Sequence, residues 1–250
     1  RNRGRGLIMG GSTPSGASTG IESIEVQSSG NGVDFGSLSA ATRYNGGAAS
    51  ATRGLSIGGK SPSVNTIEFV TIADSSNSTD FGDLTQDRRY PSPVSNDTRA
   101  VIMGGYAEAP VGYNNIIDFV TIQTKGNALD FGNLVTAAGA MDGCSSTTRG
   151  LWGAKYIGSY TAAIDFVTMA TFGNASDFGD LTRTVFGAGG MSNSIRGVWA
   201  GGQNPSNDPG MNVMDFVTIA TTGNASDFGD LTAPRGYVKG CADSHGGLGD

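Results

Sequence analysis

Apolar residues recur along this chain in short runs, never at the spacing of a long amphipathic helix. Five segments open on an Arg, and four of them close on Gly-Gly: RGLIMGG (5–11), RGLSIGG (53–59), RAVIMGG (99–105), RGLWGAK (149–155) and RGVWAGG (196–202). Five more carry an acidic residue at their start: IESIEVQ (21–27), IEFVTIA (67–73), IDFVTIQ (117–123), IDFVTMA (164–170) and MDFVTIA (214–220). In four of the latter both faces are apolar or Thr and β-branched residues dominate, the pattern of a strand buried on both sides. A third set is a phrase, Asp-Phe-Gly-x-Leu, beginning at Asp34, Asp80, Asp130, Asp177 and Asp227. A Gly-Asn pair precedes four of these phrases and Ser76-Asn77 precedes the other. Gly and Asn both tolerate positive φ, so a tight turn is expected there. A fourth set is rich in small residues: NGGAAS (45–50), AMDGCS (140–145), GAGGMS (187–192) and VKGCAD (238–243).

These four sets keep step. An acidic residue lies 12 positions before each phrase (Glu22, Glu68, Asp118, Asp165, Asp215), and an Arg lies 19 positions after the first four (Arg53, Arg99, Arg149, Arg196). The repeat lengths are 46, 50, 47 and 50, and all length variation falls between the Arg and the next acidic residue. Four antiparallel strands per unit of about 40–50 residues is the signature of a β-propeller blade. The expected fold is therefore all-β: one domain over 1–250, a five-bladed propeller with four antiparallel strands per blade. Small residues suit the innermost strand, which crowds the axis. Residues 237–244 would supply that strand to the first blade and close the ring, leaving few exposed edges. The chain begins without Met, as expected of a processed product or a piece of something longer; upstream sequence would allow six or seven blades.

Composition narrows the partners. A net charge of −6, with only four Lys and with scattered Arg, offers no basic patch for nucleic acid or an anionic membrane surface. No apolar run approaches the ~20 residues of a bilayer span. Two cysteines, Cys144 and Cys241, do not make a stapled scaffold and are expected as buried free thiols. His245 is the single His, and no nucleophile motif, phosphate loop or metal-ligand spacing accompanies it, so no cofactor or metal is expected. The Asp of the five phrases is read as structural, capping its turn or meeting an Arg, because an active site rarely needs five identical groups. The phrase Phe residues (35, 81, 131, 178, 228) are read as core between blades.

The Gly-Gly ending of the Arg strand, the acidic-aromatic strand after it and the aromatic-x-x-Leu third strand resemble a kelch-type blade over essentially the whole chain, with Phe in place of the usual Trp. ATTGNASDFGDLT followed by SNSxRGVWAGG further resembles repeat arrays in virion structural proteins of tailed phages, notably those infecting marine bacteria. That resemblance implies a tail, fibre or surface-exposed virion component, outside any cell. The first repeat departs most, with Ser23 for Phe and Ser37 for the second Asp.

Function is sought where the repeats differ, since binding residues concentrate on loops held by a rigid scaffold. The length-variable loops offer Tyr106, Tyr113, Tyr156 and Tyr160, flat amphipathic rings suited to sugar or protein contact, with Asn114, Asn204 and Asn207 as partners for hydroxyls. The alternative is that these rings only cover their own loops. The expectation is a non-enzymatic module contacting a host-surface glycan or another virion protein, in unknown copy number. A secreted or cell-surface propeller lectin is the alternative. A glycan-cleaving enzyme has thinner support, the loops offering only Glu108 and Asp208.

Overall fold

In the computed structural model, which describes residues 4–204, 206 and 210–240, the chain is all-β. Its described residues form 21 strands in five antiparallel sheets and no helix. Each sheet corresponds to one repeat. The fourth is representative: Asp142–Ser145, Arg149–Gly153, Thr161–Thr168 and Ser176–Val185 lie side by side in chain order. The small-residue strand is thus at one edge and the phrase strand at the other. The second, third and fifth sheets repeat this order, the third adding the short strand Tyr106–Ala107. Its small-residue strand, Ser92–Ser95, contains Pro93, which lacks an N–H and sits at a sheet edge. The first sheet pairs Arg5–Met9, Gly16–Glu25 and Val33–Thr42, with Ser12–Thr13 folded back on the second of these. It has no small-residue strand among the described residues. Of the segment expected to supply one, residues 237–240 carry no strand and run along the fifth sheet, where Val238 N–H donates to Gly187 O at 3.2 Å; residues 241–244, and Cys241 with them, lie outside the described residues.

Asp-Phe-Gly is a β-bulge in every copy. In the third sheet Ile117 pairs with Gly132 and Asp118 with Asp130, so Phe131 is the extra residue and the Gly takes φ +149°. The bulge turns Phe out of the ladder into the space between successive sheets. There Phe35, Phe81, Phe131 and Phe178 are each 2% exposed, in four separate clusters. Phe178 packs with Leu151, Ile164, Leu181 and Trp199, drawing on the fourth and fifth sheets.

The small-residue strands lie against one another, joined by serine hydroxyls. Ser95 donates to Ala49 O at 2.8 Å, Ser145 to Ser95 O at 3.1 Å and Ser192 to Ser145 O at 2.9 Å. Together they line one cavity of about 130 Å³, which Gly47, Gly143, Gly190 and Gly240 all reach. Cys144 is buried and free beside it.

In the second to fifth sheets the acidic residue of the second strand, not the phrase Asp, is the buried one, whereas Glu22 of the first sheet is exposed. Asp118 accepts from Arg88 Nη2 at 2.7 Å and from Thr85 Oγ1 at 2.7 Å, with both ion-pair side chains fully buried. Asp215 repeats this with Arg183 at 2.6 Å and Thr182 at 2.6 Å, and Asp165 is held by Lys155. Burial lowers the pKa of Arg88 and Arg183, and the facing carboxylate opposes that. The phrase Asp residues are exposed and meet no repeat Arg. Asp227 only caps its own bulge, accepting from Gly229 N–H at 3.1 Å.

Candidate functional site

The repeat Arg and the Gly-Asn turn both reach into the neighbouring sheet. Arg53 Nη1 donates to Ile122 O at 2.9 Å, Arg99 to Met169 O at 2.9 Å and Arg149 to Ile219 O at 3.0 Å, while each guanidinium lies 4.7–5.2 Å over the Phe of its own second strand. The turn does more than reverse the chain. Between the second and third sheets, Gly126 N–H donates to Phe81 O at 2.8 Å and Ala128 N–H to Asp83 O at 2.7 Å. Asn127 Oδ1 accepts from Asp83 N–H at 3.1 Å. Asn174 and Asn224 repeat this clasp on Asn133 and Asp180, and Asn77 does so on Ser37. These contacts make a stiff support for whatever the loops display.

At the opposite end of the phrase strands, the connections to the small-residue strands meet the loops after the Arg strands. Backbone bridges join them: Arg89 with Tyr106, Gly139 with Tyr156, Phe186 with Gln203. Over these bridges the aromatic side chains form one continuous belt. Tyr106 meets Tyr113 at 5.4 Å between ring centroids, and Tyr113 meets Tyr156 at 5.6 Å. Tyr156 contacts Tyr160 at 5.7 Å and Phe186 at 5.6 Å, and Phe186 contacts Tyr237 at 5.3 Å. Most pairs stand edge to face, the favoured geometry for aromatic quadrupoles. Arg89 extends the belt, its guanidinium 4.6 Å over Tyr106 and 6.0 Å over Tyr90, and Tyr90 stacks on Tyr44 at 4.5 Å. Arg89 also pairs with Glu108 at 2.9 Å.

All four tyrosines expected from sequence therefore lie together. They are half-buried, shielded by one another, while Tyr44, Tyr90 and Tyr237 are exposed. Asn114, which follows Tyr113 in the chain, is buried, 5% exposed, its Oδ1 accepting from Ile116 N–H at 3.3 Å. Asn204 ties its loop to the fourth sheet, donating to Thr184 O at 3.2 Å, and accepts from Ser206 N–H at 3.0 Å. Asn207 and Asp208 lie outside the described residues. Burial raises the pKa of Tyr113 and Tyr90, with neighbouring phenols adding to it. Both therefore stay neutral around pH 7, able to donate and accept hydrogen bonds.

Sequence reading missed Tyr44, Tyr90, Phe186, Tyr237 and Arg89, although a signal was present. Tyr44, Tyr90 and Tyr237 each stand nine residues after a phrase Phe, and all three take positive φ, +62°, +56° and +53°. A bulky residue held in the left-handed region carries a conformational cost of roughly 1–3 kcal/mol. Ala140 and Gly187 occupy the same repeat position, also at positive φ, so the backbone bend belongs to the scaffold and the ring is the optional part. Among the described residues no cluster of His, Cys, Asp or Glu is arranged to hold a metal. Comparison of the chain with models of known protein families and with curated proteins finds no match.

Proposed function

We propose that the five sheets are blades of a kelch-like β-propeller, closed by residues 237–244 pairing with the first sheet, and that the chain is a non-enzymatic binding module of a phage virion. Its aromatic belt contacts a host-surface glycan or a neighbouring virion protein. The observation that carries this reading is the belt: aromatic rings from successive repeats run unbroken across one face, backed by a hydrogen-bonded scaffold. Ring faces stack on the apolar face of a sugar, and neutral phenols and the Arg89 guanidinium bond its hydroxyls. Little side-chain entropy is lost on binding, because the rings already hold one another. The virion setting rests on the resemblance of the repeats alone, and a cell-surface lectin would use the same belt. For an enzyme, Glu108 is a weak candidate because Arg89 neutralises it.

The test is glycan-array binding of the intact chain beside two variants: Tyr106, Tyr113, Tyr156 and Tyr160 to Ala, and the more exposed Tyr44, Tyr90 and Tyr237 to Ala. Binding to a defined glycan class that falls tenfold or more in both variants, with the second keeping its melting temperature, supports the belt. Binding that survives both sets refutes it. Absence of glycan binding with co-purification of a virion protein, lost in the same variants, assigns the belt to assembly.

A further inference from the structure

Internal repetition turns one uncovered surface into a statement about its partner. Four sheet-to-sheet junctions share the same parts: a phrase Phe at 2% exposure, an Asn side chain on the backbone N–H two residues beyond it, and, from the neighbouring sheet, an apolar residue four positions after the buried acid. That apolar residue is Ile72, Ile122, Met169 or Ile219, at most 7% exposed. The fifth sheet has one half of a fifth junction that no described residue covers. Phe228 is 48% exposed, and a Cβ on Gly229 would meet only Met214 Cε at 3.9 Å, where one on Gly82 or Gly179 would meet a neighbouring glycine backbone at 2.5 Å. Arg196 stacks 4.8 Å over Phe216 but has no carbonyl acceptor among the described residues. The first sheet has the other half, also uncovered by any described residue: the exposed segment Gly30-Asn31-Gly32, and Val26, 52% exposed, at the position of Ile72.

We propose that the first sheet of the same chain covers the fifth, with Gly30-Asn31-Gly32 seated on Phe228–Asp230 as a fifth clasp and Arg196 donating to Val26 O. This deepens the closure proposed above and rests on it. The occupant is the chain's own first sheet because of where the chain already goes. Four small-residue strands and Gly240 line one cavity of about 130 Å³. Residues 237–240 follow the fifth sheet's small-residue strand, Lys239 and Gly240 lying against Gly189 and Gly190, and the first sheet has no such strand among the described residues. A tethered partner also acts at an effective concentration of about millimolar, ahead of a second copy in dilute solution.

The test is disulfide trapping in the full chain. Asn31→Cys with Asp230→Cys, in a Cys241→Ser background, is oxidised beside Asn127→Cys with Asp83→Cys, the same clasp between the second and third sheets. Leu7→Cys with the native Cys241, which align in the repeat with the paired Leu151 and Cys144 of the fourth sheet, reports the inner-strand closure separately. The expected result is a 31–230 link within one chain, as complete as the 83–127 link. Links only between chains would overturn the proposal in favour of a second copy. No 31–230 link while 83–127 forms would also overturn it: a 7–241 link would then leave closure standing without the clasp, and its absence would remove both. Should cysteines disturb the fold, amide exchange of Asp230 in the unmodified chain decides. Exchange about tenfold slower than in Asn31→Ala is expected from one lost hydrogen bond; equal exchange overturns the proposal.

Discussion

Phe178→Ala is the sharpest test of how the sheets are held together. The ring is 2% exposed, stands edge to face with Phe166 at 5.6 Å and 80°, and shares a cluster with Leu151, Leu181 and Trp199. Removing it takes apolar area back to water and leaves a cavity that a bulged, glycine-flanked backbone cannot easily fill. Such truncations cost about 3–5 kcal/mol. For a chain of this length each kcal/mol moves the melting temperature by about 2–4 °C, so a fall of roughly 6–20 °C is expected. Urea unfolding followed by tryptophan fluorescence reads it directly, since Trp152 and Trp199 are fully buried and report on neighbouring clusters. Repeat arrays can unfold in parts, so calorimetry should confirm a single transition before a free energy is assigned. A change below about 1 kcal/mol would refute the idea that the phrase Phe is the keystone between sheets. Phe228→Ala then carries a second message. Left half exposed, that ring should cost well under the Phe178 value; covered by the first sheet, it should cost about the same.

Two further effects follow from buried charge. Asp118→Ala strands the fully buried Arg88 and should destabilise by about 3–5 kcal/mol in denaturant titration. The double variant Asp118→Leu with Arg88→Met should recover part of this, the remainder being Thr85, which loses both its bonds to Asp118. A double variant no better than the single would refute the account. Burial raises the pKa of Asp142, against the opposing pull of Lys239 and the Gly190 and Gly143 N–H groups. The folded state thus holds this proton more tightly than the unfolded chain. Its contribution is fully present below the ordinary carboxylate pKa of about 4 and is lost as pH rises through the raised value. Thermal melts from acid to neutral pH should show wild type losing ground to Asp142→Asn over that range, and parallel profiles would refute it.

The strand repeat and the all-β class were legible because both are local: β-branched runs, fixed spacings and small-residue segments are written in consecutive residues. The four loop tyrosines were legible for a related reason, as bulky rings in segments of varying length. What local pattern hides is the partner. The phrase Asp looked like the partner of the repeat Arg because both recur, yet Arg53, Arg99 and Arg149 reach a carbonyl 69–70 residues away and the buried ion pair uses Arg88, Lys155 and Arg183. Those three cations lie at no common offset from their acids, Arg88 preceding Asp118 by 30 residues and Lys155 preceding Asp165 by 10, so no spacing announces them. The belt rings at Tyr44, Tyr90 and Tyr237 escaped notice because the repeat position holds Ala or Gly in the other two copies.

The Gly-Asn turn shows how far recurrence can and cannot reach. Its sequence fits positive φ, and Gly126, Gly173 and Gly223 do take it, at 152–156°. Asn is there for a different reason: its side chain bonds a backbone N–H 40–44 residues earlier, in the preceding sheet. Glycine at the Asn position would serve the turn equally and lose the clasp, which is why a turn-based reading was incomplete. Once the long-range contact is known, recurrence becomes informative again. Four satisfied copies define the geometry, and Asn31 and Phe228 are the two halves that remain. A seam built from parts already made four times in the same chain needs no new chemistry, only the approach of its two ends.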